Sequence, residues 1–405
     1  MKVIIVGSGV AGPVLGMLLK HKGFDPVVYE RSTHRGGGIT VVPAPQTFRV
    51  FNILGLAEEL LSIGAPIDSI ISYSVLTSPP TELMRTDAPK EVRFSEGWPI
   101  MGIARDTFVK WIISKAEERG VPIIFGKGAK DVHEVEDKVI VTLTDGSEDE
   151  ADLVIGADGL HSRVREILFG KDEADFCKLI EIGGHAKTPE SLLPYKSTAL
   201  HWYGSGIHLV SFPISHDGSE RMWVCTMAEE KEAHETWHAL TREQLHVIMK
   251  DLPMFNDPHW AGAPKDLITN HSHFVKYGLY DRPPLEKWHK GRIILAGDAA
   301  HPTSPHLGQG TNQAMEDAYH LVRVLCQFKD RKTPLEDALR EYEKIRLPRV
   351  SALVKQARKE GELRVVIGKE ACEKRDEELR KGFDREALQL YREATHGPYT
   401  GESAI

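Results

Sequence analysis

Residues 1–12 read Met1-Lys2-Val3-Ile4-Ile5-Val6-Gly7-Ser8-Gly9-Val10-Ala11-Gly12, and how this stretch folds decides the architecture. Val3 to Val6 is an apolar, β-branched run stopped abruptly by glycine, the pattern of a short strand buried on both faces. Residues 10 to 22 then carry Val14, Leu15, Leu18 and Leu19 at helical spacing, and Pro26 to Tyr29 reads as a second strand. A β-α-β unit closes within the roughly 30 residues such a unit needs. Gly7, Gly9 and Gly12 stand in the G-x-G-x-x-G spacing of a dinucleotide site. The first permits a tight turn, the second lets the backbone approach a pyrophosphate, and the third allows close helix–strand packing. The helix N-terminus offers free N–H groups and a positive dipole end to phosphates. Glu30 ends the second strand 18 positions after Gly12, where a carboxylate can accept ribose hydroxyls, with Arg31 beside it. A glycine turn needed only for packing explains neither the third glycine nor Glu30.

Two further motifs follow strand-like runs. Gly297-Asp298-Ala299-Ala300-His301-Pro302 comes after Arg292–Ala296, and Gly308-Gln309-Gly310-Thr311-Asn312 opens a helix that contains Glu316-Asp317. An Asp at a strand's carboxyl end can bond a ribityl hydroxyl, which flavins have and nicotinamides lack. A glycine-rich helix N-terminus stabilises negative charge developing on a reduced flavin. Asp158-Gly159-Leu160-His161-Ser162-Arg163 also follows a strand; its charges are expected to order a loop near the pyrophosphate, with Arg163 facing a phosphate. His301 is expected to be structural.

The rest of the chain reads outward from these motifs. Residues 104–119 form an amphipathic helix, 121–125 a strand, 132–136 and 138–144 a hairpin, and 152–157 another buried strand. Between 176 and 275 the texture changes to strands such as Thr198–Tyr203, Ile207–Ile214 and Arg221–Met227, separated by Gly, Ser and Asp turns, the signature of an antiparallel sheet. Helices are expected over 312–327, 335–347 and 349–362, the last two separated by Pro348, with a charged helical tail after 369. At 405 residues, with 41% hydrophobic and 27% charged residues, the composition is that of a globular protein of more than one domain. A net charge of −8, spread along the chain, argues against nucleic-acid binding. No run has the roughly 18 apolar residues of a membrane span, and glycines interrupt the N-terminal run before it resembles a signal peptide. The cysteines at 177, 225, 326 and 372 form no CxxC pair, and the His234/His238 and His271/His273 pairs lack a third ligand, so neither a disulfide framework nor a metal site is expected. A cytoplasmic protein is expected.

Together the motifs resemble the class A flavoprotein monooxygenases, the single-component aromatic hydroxylases such as p-hydroxybenzoate and salicylate hydroxylases. The similarity also covers Ile103-Ala104-Arg105, Phe212-Pro213-Ile214, Tyr280-Asp281-Arg282 with Trp288, and Tyr342–Arg346 before Pro348. It implies an α/β (α+β) fold: a discontinuous Rossmann-like FAD-binding domain over 1–70, 100–175 and 275–365, an inserted antiparallel-sheet substrate domain over 71–99 and 176–274, and a helical tail over 366–405. It implies FAD contacts at Gly7, Gly9, Gly12, Glu30, Arg31, Arg105, Asp158, Asp298, Gly308, Gln309, Gly310, Thr311 and Asn312. The stretch Gly36-Gly37-Gly38-Ile39 looks like the family's loop beside the flavin. No second G-x-G-x-x-G is present, as expected where NADPH or NADH is a transient electron donor without its own Rossmann domain.

The implied reaction is NAD(P)H-dependent hydroxylation of a small phenolic or heteroaromatic substrate with O2, through a flavin C4a-hydroperoxide. Epoxidation or Baeyer–Villiger oxygenation by the same chemistry is the nearest alternative, and a non-catalytic flavin-binding protein a distant one. Such chemistry is largely the cofactor's, so no nucleophile is obligatory, although a phenol benefits from a base. His208 and Tyr203 on the inserted strands, and His185 where relatives carry an Arg-Gly pair, are the candidate catalytic residues; His201 alternates with Tyr203. The chain is expected to act as a monomer or homodimer, with no nucleic-acid or membrane partner.

Overall fold

Lys2–Val6 is the strand on which the first layer is built, and its apolar run is explained by burial: Val3, Ile4 and Ile5 are 0% exposed. Each such side chain contributes about 1.5–3 kcal/mol by leaving water. In the computed structural model the strand pairs in parallel with Asp25–Glu30 on one side and Leu153–Gly156 on the other. The sheet has six strands in the order His289–Lys290, Ile293–Leu295, Leu153–Gly156, Lys2–Val6, Asp25–Glu30, Ile123–Phe125, parallel except for the short first one. Residues 34–37, 172–173, 232–246, 248–249, 251, 332–333 and 383–384 lie outside the described structure, and with them Gly36, Gly37, His234 and His238.

A second sheet has seven strands in the order His271–Asp281, Asp175–Lys187, Glu220–Ala228, Ile207–Pro213, Thr198–Tyr203, Ser69–Ser74, Thr81–Thr86. All neighbours are antiparallel except Thr198–Tyr203 with Ser69–Ser74. Side-chain alternation divides its faces. Ile180, Ile182, Trp202, Leu209 and Trp223 on one face join a core with Leu267 and Ile268 of the helix Ala263–Thr269. Val224, Val275 and Tyr277 on the other pack with Ile39, which precedes the short strand Thr40–Val41. The fold is thus the discontinuous Rossmann-like domain with an inserted antiparallel sheet. The expected hairpin gains a third strand, Glu148–Ala151, which pairs with Lys138–Leu143. Among the described residues, no helix is long and apolar enough to cross a membrane.

The structure differs from the sequence reading at Pro348. Leu335–Arg364 is one helix of 30 residues with the proline inside it. An internal proline forfeits a backbone hydrogen bond and costs about 3 kcal/mol. Ion pairs on both sides of it hold the two halves in line. Arg346 donates to Asp317 Oδ1 at 2.8 Å and Glu316 Oε2 at 2.5 Å, and Arg349 donates to both Glu316 oxygens at 2.7 and 2.8 Å. Asp317 Oδ2 in turn accepts from the Gly297 amide at 2.8 Å and from His301 Nε2 at 2.5 Å. Arg346 and Asp317 are 0% exposed. Burial alone would raise the Asp317 carboxyl, but His301 and Arg346 outweigh it and hold it well below the usual carboxylate range. Its contribution to stability is therefore present above that range and lost only in strong acid.

Breaking a buried pair leaves an uncompensated charge, whereas an exposed pair is worth little. Arg346→Met is expected to lower unfolding free energy by about 3–5 kcal/mol in urea titration. Arg340→Ala, which breaks an exposed pair with Glu336, is expected to stay within about 0.5 kcal/mol.

Candidate functional site

The three N-terminal glycines differ in what surrounds them. Gly7 has φ +108°, and a Cβ there would stand 2.3 Å from the Ala157 carbonyl oxygen; a Cβ at Gly12 would stand 1.9 Å from that of Gly7. At Gly9 nothing lies within 4 Å, so its backbone is open to an incoming group. Glu30 is oriented across this turn, accepting from the Ser8 amide at 2.7 Å and the Ser32 amide at 2.8 Å. Arg31 is exposed, with its Cβ beside Gly128. An open Gly9 between two closed glycines, with a carboxylate at the strand end, fits a dinucleotide pyrophosphate and ribose.

Asp158 backs the same turn through its backbone, its Cα lying 2.8 Å from where a Gly7 Cβ would be. Its carboxylate is turned inward. It accepts from Ser162 Oγ at 2.5 Å and from the Arg163 and Val164 amides at 2.7 and 3.2 Å, at the start of the helix Arg163–Phe169. Arg163, read from sequence as facing a phosphate, instead donates to the Lys130 carbonyl at 3.0 Å and pairs with Glu166 at 2.9 Å.

The opposite wall comes from the Gly297 turn and the helix Gly310–Arg331. Asp298 is exposed between buried Gly297 and Ala299, and a Cβ on Gly310 would stand 4.0 Å from its Oδ1. The first i→i−4 bond of that helix runs from the Gln313 amide to the Gln309 carbonyl at 2.8 Å, so the Gly310, Thr311 and Asn312 amides precede it. Gly308 takes a left-handed φ of +62° to make the turn. The two side chains of the motif do other work. Gln309 accepts from Gln46 and Gln313, each at 3.2 Å. Asn312 is 0% exposed and spends its amide fully: it accepts from the Ala44 amide at 2.9 Å and Thr47 Oγ1 at 2.7 Å, and donates to the Val42 and Gly308 carbonyls at 2.9 and 3.0 Å.

Arg105, first residue of the helix Arg105–Glu118, passes close under Gly38, where a Cβ would stand 2.7 Å from its Cδ. Burial lowers its pKa, opposed by Asp298 and Tyr277. His185 reaches the same loop from the seven-stranded sheet, its Nε2 donating to the Ile39 carbonyl at 2.7 Å.

The register of that sheet puts His201, Tyr203, His208, Thr226, Glu181 and Tyr277 on the face turned to Ile39. His208 is fully buried, its Nε2 is 3.0 Å from His201 Nδ1, and its Nδ1 has no partner. The Tyr203 ring lies 4.5 Å from that of His208. His185 is four residues along its strand from Glu181, about 13 Å away, so it stands apart from the other two candidates. Burial, reinforced by the charge of Arg364, pushes His208 well below its ordinary value and His201 to about 3, and burial raises Tyr203. The sequence reading missed Glu181, which accepts from Tyr277 Oη and from Thr226 Oγ1, and whose pKa burial raises. It also missed His306, whose Nε2 stands unpartnered 3.9 Å from Glu181. Strand alternation through Glu181, Gly183 and His185 was the signal that could have exposed Glu181. Nothing local pointed to His306. Among the described residues, no group of three His, Cys, Asp or Glu side chains is arranged to hold a metal.

Residues 1–357 match the FAD binding domain family. The chain is 30% identical over 390 residues to 3-amino-4-hydroxybenzoate 2-monooxygenase of Streptomyces cremeus, covering 95% of this chain and 93% of that one. It is 27% identical to 6-hydroxynicotinate 3-monooxygenase of Pseudomonas fluorescens, covering 86% and 88%. In fold it is similar to Klebsiella pneumoniae HpxO complexed with FAD and uric acid, with a TM-score of 0.85 at 24% identity over 98% of this chain and 96% of that one. A salicylate hydroxylase substrate complex gives 0.72 at 22% identity over 99% of both chains.

Burial holds His306 at about 3 against an ordinary 6.5, with a further push from Arg364. The unfolded chain therefore takes up this proton first, and stability falls as pH drops from 6.5 towards 3. The slope for one such group is at most about 1.4 kcal/mol per pH unit. His306→Gln is expected to flatten the stability–pH curve in that window, measured by urea unfolding at stepped pH.

Proposed function

Because the chain belongs to the FAD binding domain family and is an FAD-dependent monooxygenase, we propose that it hydroxylates a small aromatic substrate, using NADH or NADPH as donor. FAD, when bound, supplies the acceptance of two electrons from the nicotinamide and the transfer of one oxygen atom from O2. In this reading the open Gly9 turn and Glu30 receive the nucleotide half of FAD, backed by Gly7, Gly12 and the Asp158 backbone, with Arg31 at the outer rim. Asp298 meets the ribityl chain. The Gly310–Thr311 amides lie at the positive end of a 22-residue helix and favour negative charge in the cleft. Arg105 adds a cation under Gly38. Gln309, Asn312 and Gly308 act by shaping that helix start. His185 positions the Gly38–Ile39 loop.

The observation that carries the substrate reading is His208. It is a buried imidazole on the face turned to the cleft, with a free Nδ1. Burial favours its neutral form, so Nδ1 is available to accept from a phenolic O–H as that bond weakens, while Nε2–H is donated to His201 Nδ1. Tyr203, kept neutral by burial, lines the ring-binding space. The apolar neighbours Val210, Phe212 and Val224 exclude water. The division into 1–70, 100–175 and 275–365 against 71–99 and 176–274, with a tail from 366, follows these roles. Every residue named comes from one chain, so a monomer suffices, and a homodimer would carry two separate sites.

A panel of hydroxybenzoates and hydroxypyridines is expected to stimulate NAD(P)H oxidation by the FAD-loaded protein. His208→Ala is expected to keep FAD and lower kcat on the best phenolic substrate by about a hundredfold or more. FAD-loaded protein whose NAD(P)H oxidation responds to no aromatic, or a His208→Ala variant with unchanged kcat, contradicts the reading.

A further inference from the structure

Arg364 ends the long helix Leu335–Arg364 where the chain crosses onto the cleft-facing side of the seven-stranded sheet. The next residue, Val365, packs in one cluster with Ile39, Val224, Val275 and Tyr277. The Val366 carbonyl accepts from the Gly206 amide at 2.9 Å, in the turn between Tyr203 and His208, and His306 Nε2 stands 3.9 Å from Glu181, so half-buried Arg364 borders this polar group, and its charge bears on Glu181, His201, Tyr203, His208 and His306 alike. Its one hydrogen bond runs from Nη2 to the His306 carbonyl at 2.7 Å. Other arginines of this C-terminal region are committed to carboxylates: half-buried Arg349 to Glu316, buried Arg375 to Asp376 and exposed Arg358 to Asp281. Among the described residues Arg364 has no such partner. Glu181, the acid of the cluster, is already engaged by Tyr277 and Thr226, and burial favours its neutral form. Two further unpartnered buried atoms, His208 Nδ1 and His306 Nε2, belong to the same group.

A cation held beside neutral imidazoles and a neutral acid, with most of its five donors unspent, is suited to a planar anion. Resting on the aromatic reading above, we propose that Arg364 determines substrate specificity by pairing with a carboxylate carried on the aromatic ring. The ring then lies against Tyr203 and His208, and the anion satisfies a charge that the protein leaves uncompensated. An uncharged ring in the same place would leave that cation without a counter-charge, which is a penalty on binding rather than the loss of one bond.

The test uses FAD-loaded wild type, Arg364→Gln and Arg364→Lys, with benzoate and its uncharged counterpart benzamide as probes, followed by perturbation of the flavin absorbance. Wild type is expected to bind benzoate at least about tenfold more tightly than benzamide. Arg364→Gln is expected to abolish the preference, and Arg364→Lys to retain part of it. Equal affinities in wild type, binding of neither probe, or a preference that survives in Arg364→Gln with FAD bound overturns the proposal. If Arg364→Gln fails to hold FAD, the wild-type comparison and Arg364→Lys decide. The parent reading fails separately: uncharged phenols that stimulate NAD(P)H oxidation, without a benzoate preference, leave it standing and remove Arg364 from it.

Discussion

Asp317 is a fully buried carboxylate on which three parts of the molecule converge. It holds the Gly297 amide and His301 with one oxygen and Arg346 with the other. The first contact aims the turn that carries Asp298, and the last fixes the long C-terminal helix to the helix that begins at Gly310. A buried carboxylate persists only with its charge matched, and Arg346 and Arg349 balance Asp317 and Glu316. Losing the arginine costs more than a contact because the stranded charges cannot reach water. Asp298, the Gly310 amides and Arg364 are therefore set in place by one electrostatic cluster distant from the chemistry itself.

The second organising constraint is the two-residue period of a strand. One face of the seven-stranded sheet is apolar and lies under short helices, and the other carries Glu181, Thr226, His201, His208 and Tyr203 in register. Polar groups this deeply buried cost free energy unless bonded or neutral. The imidazoles and Glu181 meet that constraint by favouring their neutral forms, which leaves Arg364 as a cation without a matching acid. The same arrangement that makes the cluster tolerable makes it receptive to an anionic ring.

Much of the first layer was legible in sequence because its determinants are local. A glycine's neighbours along the chain settle whether it must turn or pack, and the strand–Gly–helix order carried the first layer with ends within a residue or two. The strands Thr198–Tyr203 and Ile207–Pro213 were legible for the same reason. What escaped was tertiary. Pro348 reads as a helix stop because its missing N–H is local, whereas the ion pairs of Arg346 and Arg349 that override it lie about 30 residues away. Gln309 and Asn312 sit in a cofactor-like motif, yet their side chains brace the backbone, a distinction that needs Ala44 and Thr47 in view. Glu181, His306 and Arg364 come from three separated segments that no sequence window joins.

The most direct test of the account is oxygen-isotope incorporation. FAD-loaded protein is turned over with NADPH and the aromatic that best stimulates its oxidation, under O2 enriched in the heavy isotope, and the product is weighed by mass spectrometry. A monooxygenase acting on an aromatic ring gives a hydroxylated product in which the new oxygen atom comes from the gas. Consumption of NADPH and O2 with no labelled product, only hydrogen peroxide, would contradict it.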